Sequence, residues 1–110
     1  KELKVQGVSL DEYFSNNEVV DFIKIDAEGA ELHIIKGAQK LITRNKALKI
    51  IMEFSTGLIS SSGSQPEDLF NIIKSFGFHI FRISPSSKLI EVTLKDLLKI
   101  KHCDVLLSRK

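Results

Sequence analysis

The chain has 110 residues, 43% of them hydrophobic and 27% charged, with 16 Lys+Arg against 14 Asp+Glu. That length suits one domain whose core needs no disulfide or metal staple, and the composition excludes disorder, collagen-like repeats and coiled coil. A net charge of +2 leaves no footprint of an obligate nucleic-acid binder, and no apolar run approaches the ~18 residues of a membrane span.

In chain order, Leu3 to Val8 reads as a short extended piece closed by Gly7. Ser9-Leu-Asp-Glu12 has the Ser-x-x-Glu spacing of a capping box and opens a short helix through Phe14, which the loop Ser15–Asn17 ends. Val19 to Asp26 is an apolar, β-branched run, the pattern of a buried strand. From about Glu28 to Arg44 the period becomes helical: Ile34, Ile35, Ala38, Leu41 and Ile42 form one stripe. Acids lie at its start and bases at its end, as the helix dipole favours. Gly37 inside that helix is assigned to close helix–sheet packing.

Leu48 to Phe54 is a second buried strand, and the serine-rich stretch Gly57 to Ser64 reads as a loop. Ser64-Gln-Pro-Glu67 is a second capping box, with Pro66 in the first turn of a helix carrying Leu69, Phe70, Ile73 and Phe76 and ended by Gly77. Phe78 to Ile83 is a strand, Ser84 to Ser87 a turn, Thr93 to Asp96 the start of a short helix, and Cys103 to Leu107 the last strand. Strands alternating with amphipathic helices imply an α/β fold with a largely parallel sheet. Cys103 is the sole cysteine, so a reducing compartment is the simpler assignment, and with no signal-peptide layout the expected localisation is cytoplasmic.

In such sheets ligands bind beyond the carboxyl ends of the strands. Asp26 closes the first buried strand and Glu53 nearly closes the second. Asp26-Ala-Glu-Gly-Ala-Glu31 puts three carboxylates within six residues at a strand-to-helix junction. These acids can orient a polar substrate, act as a base or hold a divalent cation. Equally, acids at a helix start stabilise it on their own account, and that alternative stays open. His33, His79 and His102 lack zinc-site spacing, Ser55 lacks a nucleophile elbow, and Cys103 reads as a small core residue. Neither a Gly-x-Gly-x-x-Gly nor a P-loop occurs.

Three segments resemble the FkbM family of methyltransferases: Val8-Ser-Leu-Asp-Glu-Tyr-Phe14, Lys24-Ile-Asp-Ala-Glu-Gly-Ala-Glu31 and Ile35-Lys-Gly-Ala38, with Glu53-Phe54-Ser55 similar to the family's next strand end. The resemblance implies a class I, Rossmann-like methyltransferase sheet, mostly parallel with an antiparallel last strand. It implies S-adenosyl-L-methionine as cofactor and transfer of a methyl group to a hydroxyl oxygen. On that template Phe22–Asp26, Leu48–Phe54, Phe78–Ile83 and Cys103–Leu107 are the fourth to seventh strands.

The family's glycine-rich loop and ribose-binding acid precede the first matching segment and have no counterpart here. Residues 1–110 are therefore expected to be the C-terminal part of a methyltransferase domain, inactive alone, with cofactor binding belonging to the intact domain. The candidate catalytic residues are Asp26, Glu28, Glu31 and Glu53, with no metal assigned. The implied partner is a small-molecule or glycan acceptor, with neither nucleic acid nor a membrane span, and an exposed sheet edge offers a route to an oligomer. The alternative function is a stand-alone, non-catalytic α/β binding module.

Overall fold

The computed structural model of the chain describes residues 9–14 and 18–110. The expected extended piece Leu3–Val8 and loop Ser15–Asn17 lie outside the described residues. Helix α1 (Leu10–Tyr13) starts at Ser9, whose hydroxyl accepts the Glu12 N–H at 3.4 Å. Strand β1 (Phe22–Ile25) is the centre of the apolar run at residues 19–26.

The stretch that reads as one helix is two, α2 (Glu31–Lys36) and α3 (Gln39–Arg44). The break at Gly37 and Ala38 is occupied by α1. Ser9 Oγ and the Asp11 N–H both donate to the Gly37 carbonyl, at 2.8 and 2.9 Å. The Asp11 carboxylate accepts the free N–H groups of Lys40 and Leu41, at 3.1 and 2.8 Å. Satisfying the first N–H groups of α3 in this way replaces the helical bonds that the break removes. The apolar stripe survives because Ile35, Ala38, Leu41 and Ile42 stay buried across it. Gly37 thus faces Ser9 rather than the sheet: a Cβ there would lie 3.5 Å from the Ser9 side chain.

After β2 (Lys49–Ser55) the serine-rich stretch is not a loop but helix α4 (Thr56–Ser61), capped by the Ser55 hydroxyl and anchored by buried Ile59. Burial of one isoleucine, worth ~1.5–3 kcal/mol, outweighs the modest helix propensity of serine. Helix α5 (Pro66–Ser75) takes Gln65 as its N-cap, so Ser64 is a buried residue ahead of the helix and not its capping group. Gly77, at φ +85°, ends it as its position suggests. Strand β3 (His79–Ile83) turns through Ser84–Ser87 into β4 (Leu89–Glu91), a short strand without a counterpart in the sequence reading. Helix α6 (Leu94–Ile100) begins with a complete Thr93/Asp96 capping box and leads into β5 (His102–Ser108).

The five strands form one sheet in the order β1-β2-β5-β3-β4. Among the described residues one strand pairing, β1–β2, is parallel, while β2–β5, β5–β3 and β3–β4 are antiparallel. The expectation of a mostly parallel sheet is therefore corrected to a mixed, mostly antiparallel one, consistent with a methyltransferase-like fold. The crossovers do give β1, β2 and β3 a common direction. The pairing changes because β5 enters between β2 and β3 and runs against both, and because β4 adds a hairpin. The last strand is antiparallel, as the resemblance implied. Among the described residues no helix is long and apolar enough to cross a membrane.

One face of the sheet is the core. Ile23, Ile25, Ile50, Met52, Phe54, Ile80, Val105 and Leu107 are buried there with Leu32, Ile35, Leu41, Ile59, Leu69 and Ile73 of the helices. The opposite parity is half-buried or exposed apart from Ser55 and Ser108 at the ends of β2 and β5, which are buried. It includes one register row, Lys24–Ile51–Leu106–Phe81–Glu91, that crosses all five strands.

Just after β5, Arg109 closes the other end of the molecule. Its guanidinium donates to the carbonyls of Ile42 and Asn45 at 2.9 Å, Phe76 at 2.9 Å and Lys46 at 3.3 Å, and lies 4.4 Å from the centre of the Phe78 ring. A single planar fork thus ties the ends of α3 and α5 to β5. Arg109→Met is expected to lower stability by about 2–3 kcal/mol, because the carbonyls lose a charged donor. The drop would be read as a lower urea midpoint. Arg109→Lys should recover little, since an ammonium cannot reproduce the planar fork.

Candidate functional site

Parallel neighbours β1 and β2 finish side by side, with Ile25 opposite Met52. That register carries Asp26, the residue after β1, alongside Glu53. β5 runs the other way, so its beginning lies at the same end of the sheet, with Glu53 opposite Asp104 and Ser55 opposite His102. A shallow depression of about 270 Å³ opens here on the less covered face, lined by Lys24, Asp26, Ile51, Glu53, Ile83 and Asp104. Three carboxylates face one ammonium over an aliphatic floor, a negative field that favours hydrogen-bond donors and cationic groups.

The turn after β1 is shaped from below. Glu28 and Gly29 both have left-handed backbone, at φ +46° and +105°. A Cβ on Gly29 would lie 2.3 Å from the Leu58 carbonyl oxygen, so α4 approaches the turn too closely for any side chain. Ser62 Oγ donates to the Gly29 carbonyl at 2.7 Å, and Glu31 Oε1 accepts the Gly29 N–H at 3.0 Å. The Glu31 side chain is 1% exposed. Loss of solvation pushes its carboxyl above the usual glutamate range, the negative charge of Glu53 adds to the rise, and the backbone N–H bonds oppose it.

The four candidate acids therefore separate. Asp26 is exposed and has no hydrogen-bond partner among the described residues; Glu53 is half-buried; both line the depression. Glu28 is exposed on the turn, outside the depression lining. Glu31 is packed behind the turn and holds its shape. Glu31 thus braces the helix entry, while Asp26 takes no such part among the described residues.

The histidines part in the same way. His33 is exposed on α2, and His79 pairs with Glu91 at 2.8 Å in the β3–β4 hairpin. His102 stands with its Nε2 3.5 Å from Glu53 Oε2. Asp104, which lines the depression, and His102, which stands beside Glu53, are rim residues that the sequence reading does not single out. Their signal is the antiparallel last strand, whose first residues must lie at the carboxyl ends of the others once its neighbours are known. Ser55 caps α4, and Cys103 is buried, its thiol pushed up by burial, as suits a core residue. Among the described residues no three His, Cys, Asp or Glu side chains stand close enough to hold a metal ion.

Among protein families, the model described as Methyltransferase FkbM domain matches residues 1–80 of the chain, ending within β3. No curated protein and no solved structure matches the chain.

Because Glu31 has a raised pKa, the folded chain holds its proton more tightly than the unfolded chain does. The resulting stabilisation is complete below the ordinary value of 4.5 and is lost as pH rises through the folded-state value. Glu31→Gln keeps an oxygen for the Gly29 N–H but cannot titrate. Urea unfolding across that window should show the stability of wild type falling relative to the variant as pH rises. A difference that moves the opposite way would show that the N–H bonds, not burial, dominate.

Proposed function

Since the chain belongs to the FkbM methyltransferase domain family, we propose that the depression at the ends of β1 and β2 is the acceptor side of an S-adenosylmethionine-dependent O-methyltransferase. The observation that carries this reading is Asp26, a strand-end carboxylate with no hydrogen-bond partner among the described residues, beside Glu53 and above an aliphatic floor. Ligands of open α/β sheets bind beyond the carboxyl ends of the strands. A carboxylate there accepts the hydrogen bond of an incoming hydroxyl and fixes the direction of its oxygen. Glu53 flanks the bound hydroxyl, Glu28 stands ready to position a larger acceptor from the turn, and Glu31 acts through the turn alone.

The described residues do not fit the cofactor itself. A nucleoside methyl donor needs a glycine turn with free N–H groups and an acid for the ribose hydroxyls. At the turn after β1, the Gly29 N–H is taken by Glu31, its carbonyl by Ser62, and its open side by Leu58. No step through the cofactor is derived from this chain. In our reading residues 1–110 form the C-terminal part of a methyltransferase domain whose remaining part supplies the cofactor cradle. The less covered sheet face supports this, since half-buried Phe22, Ile51, Leu106 and Phe81 present an apolar surface suited to a further layer.

Calorimetric titration of the 110-residue chain with S-adenosylmethionine should show no saturable binding, and a tight complex would overturn the division of labour. In the longer polypeptide, tritiated S-adenosylmethionine with glycerol, methyl glucoside or a long-chain alcohol reads methyl transfer directly. Asp26→Asn should lower turnover by roughly 10²-fold or more with an unchanged melting temperature, since Asp26 is exposed. Unchanged turnover would remove Asp26 from the site, and no transfer to any hydroxyl would favour the non-catalytic binding module.

A further inference from the structure

A groove of about 260 Å³ runs between the β3–β4 hairpin and α6. Its sheet side is Arg82, Ile90, Glu91 and Val92, and its helix side is Asp96, Lys99 and Ile100. Arg82 shares the parity of buried Ile80 and stands opposite Ile90 and Val105, which places it on the helix-covered face of the sheet. Asp96, Lys99 and Ile100 are spaced i, i+3 and i+4 and so share one face of α6. Sites for drug-sized ligands hold ~300–1,000 Å³, so this groove suits a smaller molecule.

The unusual member is Arg82. It is half-buried, and its Nε is shut off from solvent without a hydrogen-bond partner among the described residues. Nor does the rest of its guanidinium make a hydrogen bond or ion pair with any of them. The other half-buried arginines differ. Arg44, whose Nε is buried in the same way, gives Nη2 to the Phe14 carbonyl at 2.6 Å. All three nitrogens of Arg109 are given to carbonyls. Buried N–H groups are ordinarily satisfied, and withdrawing an unpaired charge from water is costly. Arg82 is thus a fork of donors held in a groove and not spent on the fold.

Two acidic residues line the same groove, and neither is paired with Arg82. Glu91 stands opposite Phe81, so its side chain leaves on the other face of the sheet, where it meets His79 at 2.8 Å. The Asp96 carboxylate is turned back to accept the Thr93 N–H at 2.9 Å, closing the capping box. Arg82 and Lys99 therefore remain as the uncommitted charges among the described residues. Beside them are the aliphatic side chains of Ile90, Val92 and Ile100. Ile90 is 49% exposed, so part of that aliphatic wall is open.

We propose that this groove binds a small organic carboxylate with an aliphatic tail. The two carboxylate oxygens match the planar donors of Arg82, and Lys99 adds a point charge. The tail lies on Ile90, Val92 and Ile100 and removes their apolar surface from water. No residue lines both this groove and the strand-end depression, so the site stands independently of the methyltransferase reading.

Chemical-shift titration of the backbone amides of the 110-residue chain reads the site directly. Sodium hexanoate should give saturable shifts at Arg82, Ile90, Val92, Lys99 and Ile100. Hexanamide, with the same tail and no charge, should give none. Inorganic phosphate has the charge without the tail and should bind about tenfold more weakly than hexanoate. Phosphate binding as tightly as hexanoate, or hexanamide shifting the same amides, would overturn the proposed chemistry. Arg82→Met should weaken hexanoate binding by about tenfold or more. Its melting temperature should match wild type, since Arg82 makes no hydrogen bond to the described residues. Lys99→Ala, at an exposed side chain, gives a second reading should the first variant unfold, and should weaken binding several-fold. Lys40→Ala removes an exposed charge from α3 and should bind hexanoate like wild type. Shifts that never saturate, wild-type affinity in Arg82→Met, or wild-type affinity in Lys99→Ala would overturn the site.

Discussion

The insertion of β5 between β2 and β3 is the constraint on which the structure depends. Without it the chain holds two separate ribbons, β1 with β2 and β3 with β4, joined by helices. β5 supplies the backbone partners of both inner strands, from Ile50–Leu107 to Ser55–His102 on one side and from His79–Ser108 to Arg82–Val105 on the other. An isolated two-stranded ribbon is marginal in water, whereas five strands with a covered face are stable. The same insertion buries Val105 and Leu107 in the centre of the core. It also delivers Arg109 to the carbonyls at the ends of α3 and α5. The partners lie far apart in sequence, so closing the sheet carries the loop-closure entropy that its local helices avoid.

Much of what gives the chain its family resemblance is engaged in holding backbone rather than in chemistry. Ser9 and Asp11 occupy the break at Gly37 and cap α3. Gly29 lets α4 press on the turn after β1, and Glu31 returns to its N–H. These residues fix where β1 ends and how α2 leaves it. Asp26, in the same segment, takes no such part, and that contrast separates a candidate functional acid from its structural neighbours.

The two faces of the sheet divide the remaining work. One carries the helices and the core; the other presents the row from Lys24 to Glu91 and the depression. Antiparallel insertion makes the rim chemically mixed, since strand ends from β1 and β2 meet the beginning of β5. Acid from two strands and an imidazole from a third converge, which a purely parallel sheet cannot arrange without a long loop.

The sequence by itself determined the elements that depend on neighbouring residues. Apolar runs marked β1, β2, β3 and β5, the Thr93/Asp96 spacing gave a complete capping box, and Gly77 ended α5. The acidic rim at Asp26 and Glu53 was legible for the same reason, because strand ends can be read from local pattern. What tertiary structure decided was every feature set by a distant partner. Asp11 split an unbroken helical stripe, Ser55 and Ile59 made a helix of a serine-rich stretch, and β5 changed the sheet from mostly parallel to mostly antiparallel. Glu31 and Asp26 carry the same chemistry in the sequence; the fold buries the first and leaves the second exposed at the rim. Local periodicity records hydrogen bonds and burial within a segment, whereas register, strand order and desolvation arise when segments meet.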